Sequence, residues 1–306
     1  MAVPKKAETL HNRLQEFIDS EMPTSNRKSK SRVYNYISEF VSYCQLKGNN
    51  ISREHIISYC NLLAEKKQSR SLIAAKITTI KRFLQWMFRM DYTDKMWYEY
   101  FPKVKQAPPG EVKIIGHEEY MRIRKCCYTK DQEWIIILAY CTGMRLGDCC
   151  TLRWSHVDME DMTIKKQINK NRHNTGAYTH IPYGPGSDVH QFITDLWDRR
   201  HEHYIDDDNP VCPEMYLSYV GNWDSPKDSF KRIFIRAGIH DRTFRNFRST
   251  FESLIANSGM NMALATKITG RTDVKSLLRY IRPDMEVARE GIARALELHT
   301  TVKGFA

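Results

Sequence analysis

Over its first hundred residues the chain repeats apolar positions at intervals of three and four, the period that gathers side chains on one face of an α-helix. Leu10, Leu14, Phe17 and Ile18 form one such stripe. Val33, Ile37, Phe40, Val41 and Cys44 form a second, with Gly48 as its stop. A third pattern runs from about Arg53 to Lys66. A fourth, from Ser71 to Met90, sets Ile73, Ile77, Ile80, Leu84 and Met87 on one side and leaves Lys76, Arg82 and Arg89 elsewhere. These periods predict a small helical bundle with a basic exterior. The stretch FPKVKQAPPGEV, residues 101–112, then places three prolines and a glycine between two helical regions, as an interdomain linker does. The expected organisation is a helical domain over 1–104, a linker over 105–112 and a second domain over 113–306.

Beyond the linker the pattern is mixed. Helices are predicted near 117–128, 131–141 and from about 145, followed by strand-like pieces at 163–168 and 177–183 that read as a hairpin across Gly176. Further helices are predicted near 187–203, 225–237, 244–258, 261–269 and 273–281. Pro283 stops the last of them before a tail helix, 285–298. The fold class is mainly α with a small antiparallel β-sheet.

Charge narrows the partner. The chain has 306 residues with 47 Lys and Arg against 36 Asp and Glu, a net of +11, and residues 1–100 carry 17 basic and 10 acidic side chains, +7 of that excess. Such a balance points to an anionic polymer and away from an acidic protein ligand. Arg27, Lys28, Lys30 and Arg32 are candidates for phosphate contact, with solvation of a loop and a helix start as the plainer reading. The longest apolar run, Trp134 to Cys141, is eight residues, too short to span a bilayer, so no membrane partner is expected and a cytoplasmic, DNA-associated protein is. The eight cysteines form no CxxC and fall in apolar helical patterns, which reads as reduced core residues. No P-loop, HExxH or GxGxxG fingerprint is present, so neither ATP nor a bound metal or other cofactor is expected.

Three segments hold the candidate chemistry. Cys141-Thr-Gly-Met-Arg145-Leu-Gly-Asp148 breaks an apolar helix at Gly143 and opens the next with an arginine, an arrangement that favours an anion. In Thr243-Phe-Arg245-Asn-Phe-Arg248-Ser-Thr-Phe251, Thr243 is a plausible N-cap and Phe247, Phe251, Leu254 and Ile255 form the buried stripe. Arg245 and Arg248 then sit together at its edge, where they repel unless an anion lies between them. In Gly270-Arg271-Thr-Asp-Val-Lys-Ser-Leu-Leu-Arg-Tyr280, Val274, Leu277, Leu278 and Ile281 face the core. Tyr280 lies off that stripe, its hydroxyl directed to a cleft or, on the plainer reading, half-buried packing.

In order and spacing the three segments resemble the boxes of the tyrosine recombinase (phage integrase) family: TGxRxxE/D with Asp148 in the acidic position, HxxR, and GHxxxxxTxxY. The helical first domain is loosely similar to the family's core-binding, SAM-like domain. The resemblance implies a C-shaped clamp around duplex DNA and a metal-free transesterification. Tyr280 attacks the scissile phosphate to give a 3′-phosphotyrosine and a free 5′-hydroxyl, while Arg145 and Arg248 hold the non-bridging oxygens. It also implies a homotetramer on two duplexes, with residues 285–298 packing against a neighbouring protomer or folding back in cis, and leaves room for accessory DNA-bending or directionality proteins. Two positions depart from the family: Arg245 and Arg271 stand where His or Lys, and His or Trp, are usual. Arginine cannot shuttle a proton at neutral pH but can donate hydrogen bonds to phosphate. The family's hairpin lysine, the general acid for the 5′-oxygen, is ambiguous: counting forward from Ile164 gives Lys170, counting back from Ile181-Pro182 gives Asn174. Lys170 is preferred because asparagine supplies no proton, with Lys166 in reserve. A site-specific recombinase or integrase is the leading reading. A type IB topoisomerase and a degenerate recombinase that only binds DNA are the alternatives.

Overall fold

The computed structural model describes residues 10–25, 27–46, 51–66, 68–103, 111–168, 178–202, 206–221, 224–271, 273–278 and 285–290. The chain divides into two compact units, 1–109 and 110–306.

The first unit is helical: α1 (Leu10–Glu21), α2 (Arg27–Leu46), α3 (Arg53–Glu65) and α4 (Arg70–Arg89), then a single 3-10 turn at Trp97–Tyr100. Ser52 and Ser69 start α3 and α4 by accepting from the amides of His55 and Leu72, groups that have no partner inside the helix. The predicted stripes meet in one core, where Leu14, Ile37, Phe40, Tyr59, Ile80 and Leu84 are fully buried and Phe17 packs edge-on to Phe83 at 5.4 Å. Burial of each such side chain is worth about 1.5–3 kcal/mol. Lys76 departs from the expected pattern. It is buried, because its stem lies along the apolar face and its ammonium donates to Glu39 of α2. Burial works to raise the Glu39 carboxyl, but hydrogen bonds from Lys76 and Lys66 outweigh it and hold the group below its ordinary value. Arg82 and Arg89, exposed as expected, both lie beside Glu21.

The second unit contains α5 (His117–Lys125), α6 (Lys130–Thr142), α7 (Leu146–Cys150), β1 (Val157–Asp158), β2 (Thr163–Gln167), β3 (Tyr178–Pro182), α8 (Asp188–Glu202), α9 (Pro213–Gly221), α10 (Asp224–Arg236), α11 (Arg245–Asn257), α12 (Met262–Ile268) and α13 (Val274–Leu278). Residues 285–290 are helical with all side chains exposed; the rest of the expected tail helix lies outside the described residues. Helix α6 is the centre of the unit: Trp134 through Ala139 have no exposed surface, so it is apolar on every side, and α5, α7, α8, α9 and α11 pack on it. Thr129 and Gln132 close its N-terminus as a capping box. The sheet is antiparallel in the order β1-β2-β3, with Ile164 opposite Ile181 and Lys166 opposite Thr179. None of the eight cysteines is in a disulfide; Cys44, Cys149, Cys150 and Cys212 are buried.

The helix expected from about 145 is α7, five residues long, and β1 and α9 are elements that the sequence pattern does not predict. Burial along the predicted stripes is corrected. Leu254, Val274 and Leu278 are exposed, whereas Leu277 of the same predicted stripe is fully buried. The inward side of α11 is instead polar: Arg248, Ser249, Thr250, Glu252 and Ser253 are buried beside Phe247. Part of that polar side, Ser249 and Thr250, meets the segment entering the unit. Ser249 and Asn246 donate to the carbonyl of Lys113, and the amide of Ile115 donates to Thr250 Oγ1 at 2.8 Å.

Candidate active site

The first segment reaches α11 through Gly143. This residue ends α6 in the left-handed region (φ +63°), and a Cβ there would overlap the ring of Phe251, so only glycine lets the turn lie on the helix. Arg145 then stands at the head of α7, its Nη1 3.9 Å from Asp148, which is buried. The third segment arrives by a similar device. The amides of Gly270 and Arg271 bond back to Lys267 and Thr266, a Schellman motif closing α12. Gly270 (φ +59°) approaches the hairpin so closely that a Cβ would stand 2.5 Å from Ile168 and 2.7 Å from Thr179.

Arg248 joins the three segments. It is 8% exposed; Nη1 donates to the carbonyl of Gly143 at 3.0 Å and Nη2 to the carbonyl of Thr269. Its Nε lies 2.9 Å from Glu252 Oε1, too bent for a hydrogen bond, so that contact is ionic. Glu252 is fully buried and is also held by Arg271, whose Nε and Nη2 donate to its two oxygens at 2.9 and 2.8 Å. The anion expected between two site arginines is therefore part of the protein, and the pair it joins is Arg248 and Arg271. Arg245 is exposed at the rim. Thr243 does not cap α11 with its side chain; Asn246 reaches back to accept from the Thr243 amide at 2.7 Å.

Arg145, Arg245, Arg248 and Arg271 line one cleft of about 880 Å³. Its other wall comes from α9 and α10 and the loop before α11: Tyr219, Lys227, Phe230, Lys231 and Phe244. Burial pushes the Arg248 guanidinium down to about 10; Glu252 opposes the shift, while Arg145 and Arg271 add to it. Arg145 is lowered too, by burial first and then by Arg271 and Arg245, against Asp148. Four guanidiniums with two carboxylates among them leave an excess of positive charge in a partly desolvated cleft, suited to an anion with one phosphate's geometry. Tyr280 and Lys170 lie outside the described residues. Lys166, the reserve acid, is buried under the sheet with its ammonium on the carbonyl of Thr151 at 2.7 Å.

Sequence reasoning missed Glu252 and the far wall. Glu252 stands four residues after Arg248 among apolar positions, which is a legible signal for an ion pair on one helix face. Lys227 and Lys231 stand four apart on α10, a spacing that puts two like charges on one helix face. Tyr219 left no signal; burial, then Asp148, pushes its hydroxyl up to about 12, so it stays protonated at neutral pH.

Residues 113–286 match the Phage integrase family. Tyrosine recombinase XerA of Saccharolobus solfataricus is 24% identical over 233 residues, 76% of this chain and 70% of that protein. Among solved structures, the Tn1549 transposon integrase in complex with a circular intermediate DNA superposes with a TM-score of 0.67 at 16% identity, over 94% of this chain and all of that one. The lambda integrase tetramer bound to a Holliday junction gives a TM-score of 0.66 at 16% identity, over 91% and 78% of the two chains.

Proposed function

The chain belongs to the phage integrase family, and from that premise we propose that it is a site-specific DNA recombinase acting through a 3′-phosphotyrosine intermediate on Tyr280. The observation that carries the reading is the arginine that ties the boxes together: Arg248 donates at once to Gly143 of the first segment and to Thr269, the residue that precedes the third, and shares Glu252 with Arg271 of the third.

In the proposed reaction the scissile phosphate occupies the arginine-lined cleft. The Tyr280 oxygen attacks phosphorus, its phenolic proton passing to water or to the phosphate, as the bond to the 5′-oxygen breaks and Lys170 gives that oxygen a proton. The 5′-hydroxyl of a partner strand reverses the step and releases the tyrosine, so the phosphodiester is conserved without ATP. The five-coordinate transition state carries more negative charge than the diester, and donors already fixed in place stabilise that increment without reorganising. Arg248 supplies a second N–H on each terminal nitrogen beyond those bonded to carbonyls, and Arg145 flanks it. Arg245 and Arg271 add hydrogen-bond donors rather than proton shuttles. Duplex DNA is the substrate, and the working assembly is a homotetramer on two duplexes. The tetrameric, junction-bound form of a structural relative and the exposure of Met285 and Val287 support that assembly.

The test is covalent trapping in EDTA on nicked duplexes drawn from DNA flanking the gene, with the DNA-linked peptide sequenced. Wild type and Tyr219→Phe are expected to give an adduct through Tyr280, Tyr280→Phe none, and two duplexes to yield exchanged joints. Binding without any adduct would refute the reading and leave a DNA-binding protein.

A further inference from the structure

We infer that Glu252 is a positioning residue of the strand-cleavage site, one buried carboxylate that orients the guanidiniums of both Arg248 and Arg271 towards the cleft. The inference rests on the function proposed above.

The geometry is specific. Glu252 has no exposed surface, yet both of its oxygens are used by residues lining the cleft. Arg271 engages it through two nitrogens at 2.9 and 2.8 Å, a fork that fixes the plane of the guanidinium and leaves Nη1 outside the pair. Arg248 is held on its other edge by the two carbonyls, so its Nε contact with the same carboxylate completes a three-sided seat. The arginines come from α11 and from the turn after α12, and Glu252 pairs with both of them. Without it, two guanidiniums meet in a site from which water is largely excluded, beside the further positive charge of Arg145 and Arg245.

A carboxylate in a phosphate site has a cost that makes the proposal testable. Its charge opposes the substrate's, so a site needing only positive potential would bind DNA more tightly and react faster without it. A site needing orientation would bind DNA at least as well without it and react more slowly. The two roles differ in the sign of the rate effect.

The experiment compares wild type, Glu252→Gln, Glu252→Asp, Arg271→Met and the Glu252→Gln/Arg271→Met double variant on a nicked duplex. It measures DNA affinity by anisotropy, adduct formation in a single turnover at saturating protein, and thermal melting under the same conditions. For Glu252→Gln the expected result is a Kd equal to or tighter than wild type with adduct formation about 100-fold slower, the scale set by misplacing a reacting or stabilising group by about 1 Å. Glu252→Asp, which keeps the charge on a shorter stem, recovers part of the rate. In the Arg271→Met background the Glu252→Gln step costs less than tenfold, because half of what it positions is already gone. If Glu252→Gln proves too unstable to assay, the Glu252→Asp rate at a wild-type melting temperature decides. Wild-type rates in the folded variants, or the same loss with and without Arg271, overturn the inference alone. A wild-type protein that binds DNA and forms no adduct overturns the functional reading and this role with it.

Discussion

Truncating Arg248 to alanine is expected to damage the fold before it touches the chemistry. The side chain is about nine-tenths buried and supports three elements at once: the turn at Gly143, the end of α12 at Thr269, and Glu252 in its own helix. Its removal leaves two carbonyls short of a donor and a fully buried carboxylate still paired with Arg271 but without the second guanidinium. Hydrogen bonds to a charged group are each worth about 1.5–3 kcal/mol, and breaking one side of a buried ion pair costs about 3–5 kcal/mol. These terms overlap and do not add. Relief of repulsion from Arg145 and Arg271, together with the recovered desolvation of Arg248, offsets part of the loss. The net expectation is about 3 kcal/mol, whereas Arg245→Ala, an exposed change, stays within about 0.5 kcal/mol. Hydrogen exchange of the α6 and α11 amides localises the effect to this unit. About 3 kcal/mol corresponds to exchange roughly two orders of magnitude faster in Arg248→Ala, against an unchanged Arg245→Ala. Protection within threefold of wild type in Arg248→Ala would refute the reasoning. The practical consequence is that loss of strand cleavage in this variant does not by itself report on phosphate binding.

Two further outcomes follow from the same structure. His156 accepts from the Arg153 amide through Nδ1 at 3.0 Å, and its ionisation is pushed down to about 4 by burial, then by Lys166 and Arg153. A base whose folded pKa lies below its unfolded value contributes stability that is present above about pH 6.5 and lost as the pH falls towards 4. Wild type is therefore expected to lose more of its urea midpoint between pH 7 and pH 5 than His156→Asn, which keeps an acceptor and cannot titrate; equal losses would contradict this. Gly270→Ala adds a left-handed alanine and a Cβ driven into Ile168 and Thr179, together about 2–4 kcal/mol. A melting temperature lowered by about 5–10 °C is expected, and a change under 1 °C would show that the turn and the hairpin are not pressed together.

The first unit's helices, α5 and the β2-β3 hairpin follow from local periodicity, because each buries an apolar stripe whose spacing is written in adjacent residues, and α6 follows from an unbroken apolar run. The three boxes are legible for a different reason: their residue types and spacing are set by the chemistry of a phosphate, and the family match covers the same stretch. Elements without a stripe of their own escape such reading. β1 is two residues, and α9 is a nine-residue helix held at its start by the carboxylate of Asp131, accepting from the amides of Glu214 and Met215. Periodicity also assigns burial by hydrophobicity alone. It placed Lys76 outside and Leu254, Val274 and Leu278 inside, because it cannot register that Glu39 awaits the lysine or that Ser249 and Thr250 on the inward side of α11 are met by residues 113–115. The site divides in the same way. Sequence alone singled out Arg145, Arg245, Arg248 and Arg271, since a guanidinium's affinity for an anion is a property of the residue, and the fold brings all four to one cleft. Which anion and which carbonyls hold each guanidinium was decided by tertiary structure. Arg248 finds its acceptors 105 and 21 residues away, and Arg271 finds Glu252 19 residues back, separations at which local sequence carries no pairing information and only the closed fold brings donor and acceptor within bonding distance.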